Sequence, residues 1–281
     1  MRIIESISEV KAIIRAQRKI GKTIGFVPTM GYLHEGHKSL IKASVSENDF
    51  NIVSIFVNPI QFGVNEDFSK YPRDMSSDSK LAQEEGVDII FAPTINEMYP
   101  NGFKTYVEVG EITNIMCGKS RPGHFKGVTT VVNKLFNIVS PDKAYFGQKD
   151  AQQVAVIKQM VSDLNMNIEI ITCPIIREAD GLAMSSRNVY LSPEERKAAT
   201  ILSKALFEAV RVISDGERRK EKVLEFITSR ILSEKSAQID YISIVSADTL
   251  EEIKIVNGKL LIALAVKFGT TRLIDNIIVE V

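Results

Sequence analysis

The chain has 281 residues, enough for one large or two modest domains with cores of their own, and its 35 Lys and Arg balance its 35 Asp and Glu. That balance gives no electrostatic footprint for nucleic acid or an acidic membrane, so neither is expected as a partner. Cys117 and Cys173 form no Cys-x-x-Cys pair, the charged start (Arg2, Glu5, Glu9, Lys11) lacks an apolar h-region, and the longest apolar run, Leu260 to Val266, is too short to span a bilayer. A soluble cytoplasmic protein is expected.

In chain order, Ser6-Ile7-Ser8-Glu9 has the form of a capping box, and Val10, Ile13 and Ile14 make a helical stripe that stops at Gly21. The apolar run Thr23 to Val27 reads as a strand, and Leu40, Ile41, Ser44 and Val45 as the core face of a helix. Asn51 to Val57 is almost continuously apolar, as suits a parallel strand buried on both faces. A polar helix over about 74–85 closes at Gly86, and Val87 to Ala92 is a third strand. The order βαβαβ predicts a doubly wound sheet with ligands at the carboxyl edge of its strands.

Residues 93–123 are punctuated by Gly and Pro and predict a loose connection with one short strand near Tyr106 to Val109. Val128, Val131, Val132, Leu135, Phe136 and Val139 form a helical face explained by packing alone. A strand over 143–146, a helix with Val154, Ile157, Val161 and Leu164 on its core side, and a strand over 167–173 follow. Pro174 marks a boundary. Beyond it come a polar loop (177–188), a helix capped by Ser192-Pro193-Glu194-Glu195 and running to about Ser214, another over 220–233, and strands over 240–245, 259–266 and 274–281. The expected class is therefore α/β: a Rossmann-like doubly wound parallel sheet over 1–175 and a smaller α+β C-terminal domain over 176–281.

Polar clusters follow the strands. The sharpest is Pro28 to His37, which holds two of the three histidines and sits on a strand-to-helix turn. Gly31 and Gly36 permit close backbone approach, and the new helix offers unpaired N–H groups and a positive dipole end, so an anion site is the physical reading. Three other readings compete: His34 and His37 as caps, as metal ligands, or as part of a plain loop. His-Glu-Gly-His is not the His-Glu-x-x-His zinc spacing, and no metal-ligand set is expected. Asn58 and Gln61, Gly147 to Gln153, and Met184 to Arg187 each have a bland reading as surface or backbone-satisfying groups. The Pro28–His37, Asn58/Gln61 and Gly147–Gln153 clusters, however, share one predicted sheet edge. Two His, a Lys and an Arg around a dipole-positive turn suit a polyphosphate whose charge redistributes during reaction. Neither a P-loop nor a Gly-x-Gly-x-x-Gly fingerprint is present.

These motifs together resemble the pantoate–β-alanine ligase family: Pro28-Thr29-Met30-Gly31-Tyr32-Leu33-His34-Glu35-Gly36-His37, Phe56-Val57-Asn58-Pro59-Ile60-Gln61-Phe62, Tyr71-Pro72-Arg73, Arg121-Pro122-Gly123-His124-Phe125, Phe146-Gly147-Gln148-Lys149-Asp150-Ala151-Gln152-Gln153 and Met184-Ser185-Ser186-Arg187-Asn188. The likeness spans essentially the whole chain. Any one motif is shared with the wider His-x-Gly-His nucleotidyltransferases; the set is specific. Tyr32 stands where a small residue is more usual.

The resemblance implies a cytoplasmic homodimer whose C-terminal domain acts as a lid, with ATP as co-substrate and Mg²⁺. It implies that pantoate attacks the α-phosphate to give pantoyl adenylate and diphosphate, and that β-alanine then releases AMP. Met30, Gly31, Tyr32, Leu33, His34, Glu35, Gly36 and His37 would bind ATP, with His34 and His37 on the phosphates and His37 the proton donor. Gly147, Gln148, Lys149 and Asp150 would take phosphate and ribose, Lys149 at the α-phosphate. Ile176 would meet adenine, and Met184, Ser185, Ser186 and Arg187 would close over the nucleotide. His34, His37, Lys149 and Arg187 form the catalytic set. Gln61 and Gln153 would bind pantoate, with Gln61 also near β-alanine. Arg121 to His124 reads equally as structural loop or substrate-path gate. The alternatives are another His-x-Gly-His nucleotidyltransferase and a silent nucleotide-binding regulator.

Overall fold

The computed structural model describes residues 1–64 and 66–281. Two compact units emerge: one of residues 1–110, 121–147 and 156–174, the other of 111–120, 148–155 and 175–281.

The first unit holds a parallel sheet of β1 (Arg2–Ile4), β2 (Ile24–Thr29), β3 (Phe50–Ile55), β4 (Ile89–Phe91), β5 (Lys143–Gly147) and β6 (Glu169–Cys173), in the spatial order β1-β4-β3-β2-β5-β6. Its helices are α1 (Ile7–Lys19), α2 (Glu35–Glu47), α3 (Met75–Glu84), α4 (Ile95–Met98) and α6 (His124–Val139). Strand order runs one way from β2 through β3 to β4, and the other way from β5 to β6. The reversal therefore falls between β2 and β5, where an open α/β sheet leaves a crevice at its carboxyl edge. Both faces of the central strands are covered: β3 is buried from Phe50 to Ser54, and Val27, Ile41, Val53, Ile90 and Tyr145 share one core. This matches the near-continuous apolar run by which the sequence marks the strand.

Three local expectations are corrected, and one strand is added. Residues 106–109 form no strand, because the Val107 backbone is tied to the Thr129 and Thr130 hydroxyls of α6 rather than to a neighbouring strand. Ser6 occupies the N-cap of α1 without a side-chain cap; its hydroxyl meets Ser8, and Glu9 pairs with Arg2. β1 has no visible sequence signal, being three residues long and defined only by its pairing with β4. The helix after Ser192 is broken at Ala199-Thr200 into α8 (Pro193–Ala198) and α9 (Ile201–Ser214). The Ser192–Glu195 capping box itself is present as expected.

The second unit contains α5 (Met116–Ser120), the start of α7 (Ala151–Asp163), α8, α9, α10 (Lys220–Leu232) and an antiparallel sheet of β7 (Ala237–Ser246), β8 (Lys259–Phe268) and β9 (Thr271–Glu280). β8 is central and apolar without alternation because both of its faces are buried. Leu260, Ile262, Leu264, Val266 and Phe268 pack with α9 and α10, while Leu261 and Ala263 pack with Met116, Ile115, Ala151 and Ala155. Such burial accounts for most of this unit's stability. Leu264→Ala, at a fully buried position, should cost about 2–5 kcal/mol. A lowered urea midpoint at unchanged denaturant dependence is the expected readout.

Candidate active site

The β2–α2 turn is built around two successive left-handed residues, Gly31 (φ 83°) and Tyr32 (φ 53°). A tyrosine in that region is strained by about 1–2 kcal/mol, and the strain is offset by Asp78 of α3. That carboxylate is only 2% exposed and accepts the N–H of Tyr32 at 2.8 Å and of Leu33 at 2.6 Å. Burial pushes the Asp78 carboxyl above its usual range, against the opposing pull of those two N–H groups. Gly31 could not be replaced cheaply: a Cβ there would lie 2.9 Å from Ile55 and 3.0 Å from Asp78.

His34 is the N-cap of α2 and His37 its third residue, and the two cap each other. His34 Nδ1 accepts from Gly36 N–H at 3.1 Å, and His37 Nδ1 accepts from His34 N–H at 3.3 Å. The capping reading is therefore correct in geometry, although it does not exclude a ligand role. It also revises the anion-site picture. Backbone donors of Gly31, Tyr32, Leu33, His34 and Gly36 are already taken by Thr29, Asp78 and the two imidazoles. The turn presents imidazole edges in place of bare amides. Both histidines are half-buried, while Glu35 is exposed.

Gln61 lies on the 3₁₀ turn Pro59–Gln61 after β3, one strand from this turn. Its amide donates to Met30 Sδ at 3.3 Å and accepts from Asn58 at 3.0 Å, so Met30 and Gln61 are brought together. Asn58 is buried, holds the Gly127 carbonyl, and receives the Tyr99 hydroxyl at 2.7 Å. α6 sits directly on this turn: a Cβ on Gly127 would lie 2.5 Å from Gln61 Cα and from the Ile60 carbonyl.

Arg121 and His124, left open by the sequence, have a defined place. His124 Nδ1 meets the Gln61 carbonyl at 2.9 Å, Arg121 contacts His124 Nε2 at 3.0 Å, and Glu66 receives the Arg121 guanidinium on both oxygens. Burial would raise the Glu66 carboxyl, but the Arg121 guanidinium outweighs it and holds the group at about 2. These residues brace the backbone that carries Gln61.

Gly147 ends β5, beside β2 in the sheet. In the second unit, the 3₁₀ turn Gln148–Asp150 places Lys149 Nζ 3.4 Å from Asp150. Asn276 of β9, 2% exposed, donates to the carbonyls of Gln148 (3.0 Å) and Lys149 (2.9 Å). Its neighbour Asp275, fully buried, takes Arg177 on both oxygens at 2.6 and 2.9 Å. Ile176 and Met184 face one another across a backbone hydrogen bond of 3.0 Å, and Ser185 caps the 3₁₀ turn Ser186–Tyr190 by accepting Arg187 N–H. Gln153, in α7, is half-buried. Gln152 has a structural task, tying Ile112, Ile115 and Cys117. Sequence reasoning missed Asp78, Asn276 and the Arg177–Asp275 pair.

A Rossmann-like α/β sheet with a His-x-Gly-His turn at its strand-order reversal defines an enzyme of the nucleotide-handling α/β class. Comparison narrows this. A family model for pantoate-beta-alanine ligase matches residues 2–278. The chain is 66% identical to the pantothenate synthetase of Acetivibrio thermocellus and 63% identical to that of Caldicellulosiruptor saccharolyticus, each over the whole of both chains. Its fold superposes on the pantothenate synthetase of Thermus thermophilus with a TM-score of 0.94 at 44% identity, covering 99% of each chain. The Francisella tularensis pantoate-beta-alanine ligase, solved with beta-gamma ATP and beta-alanine, superposes with a TM-score of 0.79 at 38% identity, covering 99% of this chain and 97% of that one. The chain belongs to the pantoate–β-alanine ligase family.

Two outcomes follow from this geometry. Gly127→Ala should cost about 1–3 kcal/mol through overpacking against the Ile60–Gln61 backbone; a thermal melt checks it. Glu66, with a folded value of about 2 against an ordinary 4.5, stabilises the fold above pH 4.5, and that contribution fades as pH falls toward 2. Glu66→Gln should flatten that part of the acid-unfolding curve.

Proposed function

We propose that the chain joins pantoate to β-alanine in two steps, through pantoyl adenylate. The supporting observation is full-length likeness to pantothenate synthetases, together with the His34/His37 turn at the edge where this fold class binds ligands. A carboxylate is a poor acyl donor. In the first step a pantoate carboxylate oxygen attacks the α-phosphorus of ATP and diphosphate leaves with the bond electrons. In the second, the β-alanine nitrogen, having lost a proton, attacks the acyl carbon, the acyl C–O bond breaks, and AMP departs with the bridging anhydride oxygen.

In this reading Met30 to His37 would bind ATP, with Gln61 for pantoate and β-alanine. Lys149 would meet the α-phosphate, Asp150 the ribose, Ile176 adenine and Gln153 pantoate, and Met184 to Arg187 would contact the nucleotide. Gln61 and Gln153 are neutral, which suits hydroxyl recognition and leaves the carboxylate nucleophilic. Among the described residues no three His, Cys, Asp or Glu gather into a metal cage. Mg²⁺ would enter as part of the Mg·ATP substrate, held mainly by phosphate and water. No helix among the described residues is long and apolar enough to cross a membrane. A cytoplasmic homodimer belongs to this reading through the family likeness.

Labelled diphosphate should exchange into ATP when pantoate is present and β-alanine absent, and AMP should appear only after β-alanine is added. Absence of exchange in active enzyme would sink the two-step order. Lys149→Ala should lower kcat for adenylate formation more than it raises KM for ATP, because the interaction strengthens as charge develops. An unchanged kcat with only a raised KM would reduce Lys149 to a ground-state clamp.

A further inference from the structure

We propose that His34 and His37 are locked as uncharged imidazoles with their protons on Nε2, and that both meet ATP phosphate as neutral hydrogen-bond donors. This rests on the reading of the β2–α2 turn as the ATP site and specifies its chemistry.

The first reason is directional. A backbone N–H can only donate, so a ring nitrogen that receives one carries no proton. His34 Nδ1 receives Gly36 N–H and His37 Nδ1 receives His34 N–H. Each neutral ring must then carry its hydrogen on Nε2, the edge away from the cap. Protonating either Nδ1 would set N–H against N–H and open the helix start.

The second reason is mutual. The ring centroids are 4.1 Å apart with the planes tilted by 41°, and two imidazolium cations at that spacing repel. The third is the helix: both rings sit at the positive end of a 13-residue helix, which opposes a cation and favours the neutral form. Asp78 on α3 spends its oxygens on Tyr32 and Leu33, and Glu35 and Glu85 share Lys38. Glu47, Lys143 and Tyr145 meet at the other end of α2.

One consequence departs from the role that family resemblance gives His37. A neutral imidazole could release its Nε2 proton only by becoming imidazolate, so His37 is an electrophilic donor and not a proton donor. Diphosphate is already a stable leaving anion, and hydrogen bonds to its oxygens suffice.

The test uses the full-length enzyme labelled with ¹⁵N-histidine, with the rings assigned through His34→Asn and His37→Asn. Long-range proton–nitrogen correlation at pH 7 should show both rings protonated on Nε2 and bare at Nδ1. A ring protonated on both nitrogens, or on Nδ1 alone, would overturn the proposal. His37→Gln, whose amide nitrogen reaches toward the Nε2 position, should retain about tenfold more turnover than His37→Asn, which keeps only the cap acceptor. Equal losses would overturn the donor role. His34→Ala and His37→Ala with normal turnover would instead remove the reading of this turn as the ATP site, whatever the tautomers.

Discussion

Two hydrogen bonds to one buried carboxylate set the shape of the β2–α2 turn. Asp78 takes the N–H groups of Tyr32 and Leu33, and so holds two consecutive residues, Gly31 and Tyr32, in the left-handed region. That conformation turns the chain sharply enough for His34 to begin α2 directly beyond β2. A carboxylate this deep is costly unless satisfied, and here the N–H groups that need a partner and the oxygens that need donors relieve each other. Everything downstream on the turn inherits the arrangement. The two imidazoles can cap each other only because the residue before them has already been aimed.

The second unit solves a similar problem with a neutral group. Asn276 receives no charge assistance, yet its amide spans two consecutive carbonyls, those of Gln148 and Lys149. One residue earlier on β9, Asp275 grips Arg177, whose neighbour Ile176 is bonded through its backbone to Met184. One stretch of β9 thus fixes two segments proposed to contact the nucleotide. β8, buried on both faces, anchors β9 within the core of this unit. Rigid support beneath polar loops is what orientation-dependent catalysis requires.

Much of this is legible in the chain. The sheet is readable because β3 and the helices carry strong periodic or continuous apolar signals, and the Pro28–His37 turn because glycines and histidines cluster there against a sparse background. What escapes is encoded through tertiary contact. Asp78 lies one turn into a polar helix and looks like an ordinary complement to the helix dipole; its burial depends on where the β2–α2 turn arrives. Asn276 sits in an otherwise strand-like run, and only the path of residues 148–149 gives it partners. The break between α8 and α9 falls at Ala199-Thr200, where no Gly or Pro announces it. Val107 misleads because β-type sequence can be held extended by threonine side chains as well as by a neighbouring strand.

The division of labour between charge and direction follows from these supports. Adenylation places growing negative charge on the bridging and terminal oxygens of the departing diphosphate, and the strongest response is a fixed cation. In the proposed site Lys149 and Arg187 would meet that task. Adding two more cations at His34 and His37 would tighten ground-state binding of ATP as much as it stabilised the transition state, and would slow diphosphate release. Neutral donors on a rigid helix start avoid this: they are directional, they need no proton to be gained or lost, and their strength grows as the acceptor oxygen becomes more negative. A helix capped by histidines, where Ser or Asp would cap as well, makes physical sense on these terms. The cap fixes the tautomer, and the tautomer fixes which edge of each ring carries the hydrogen.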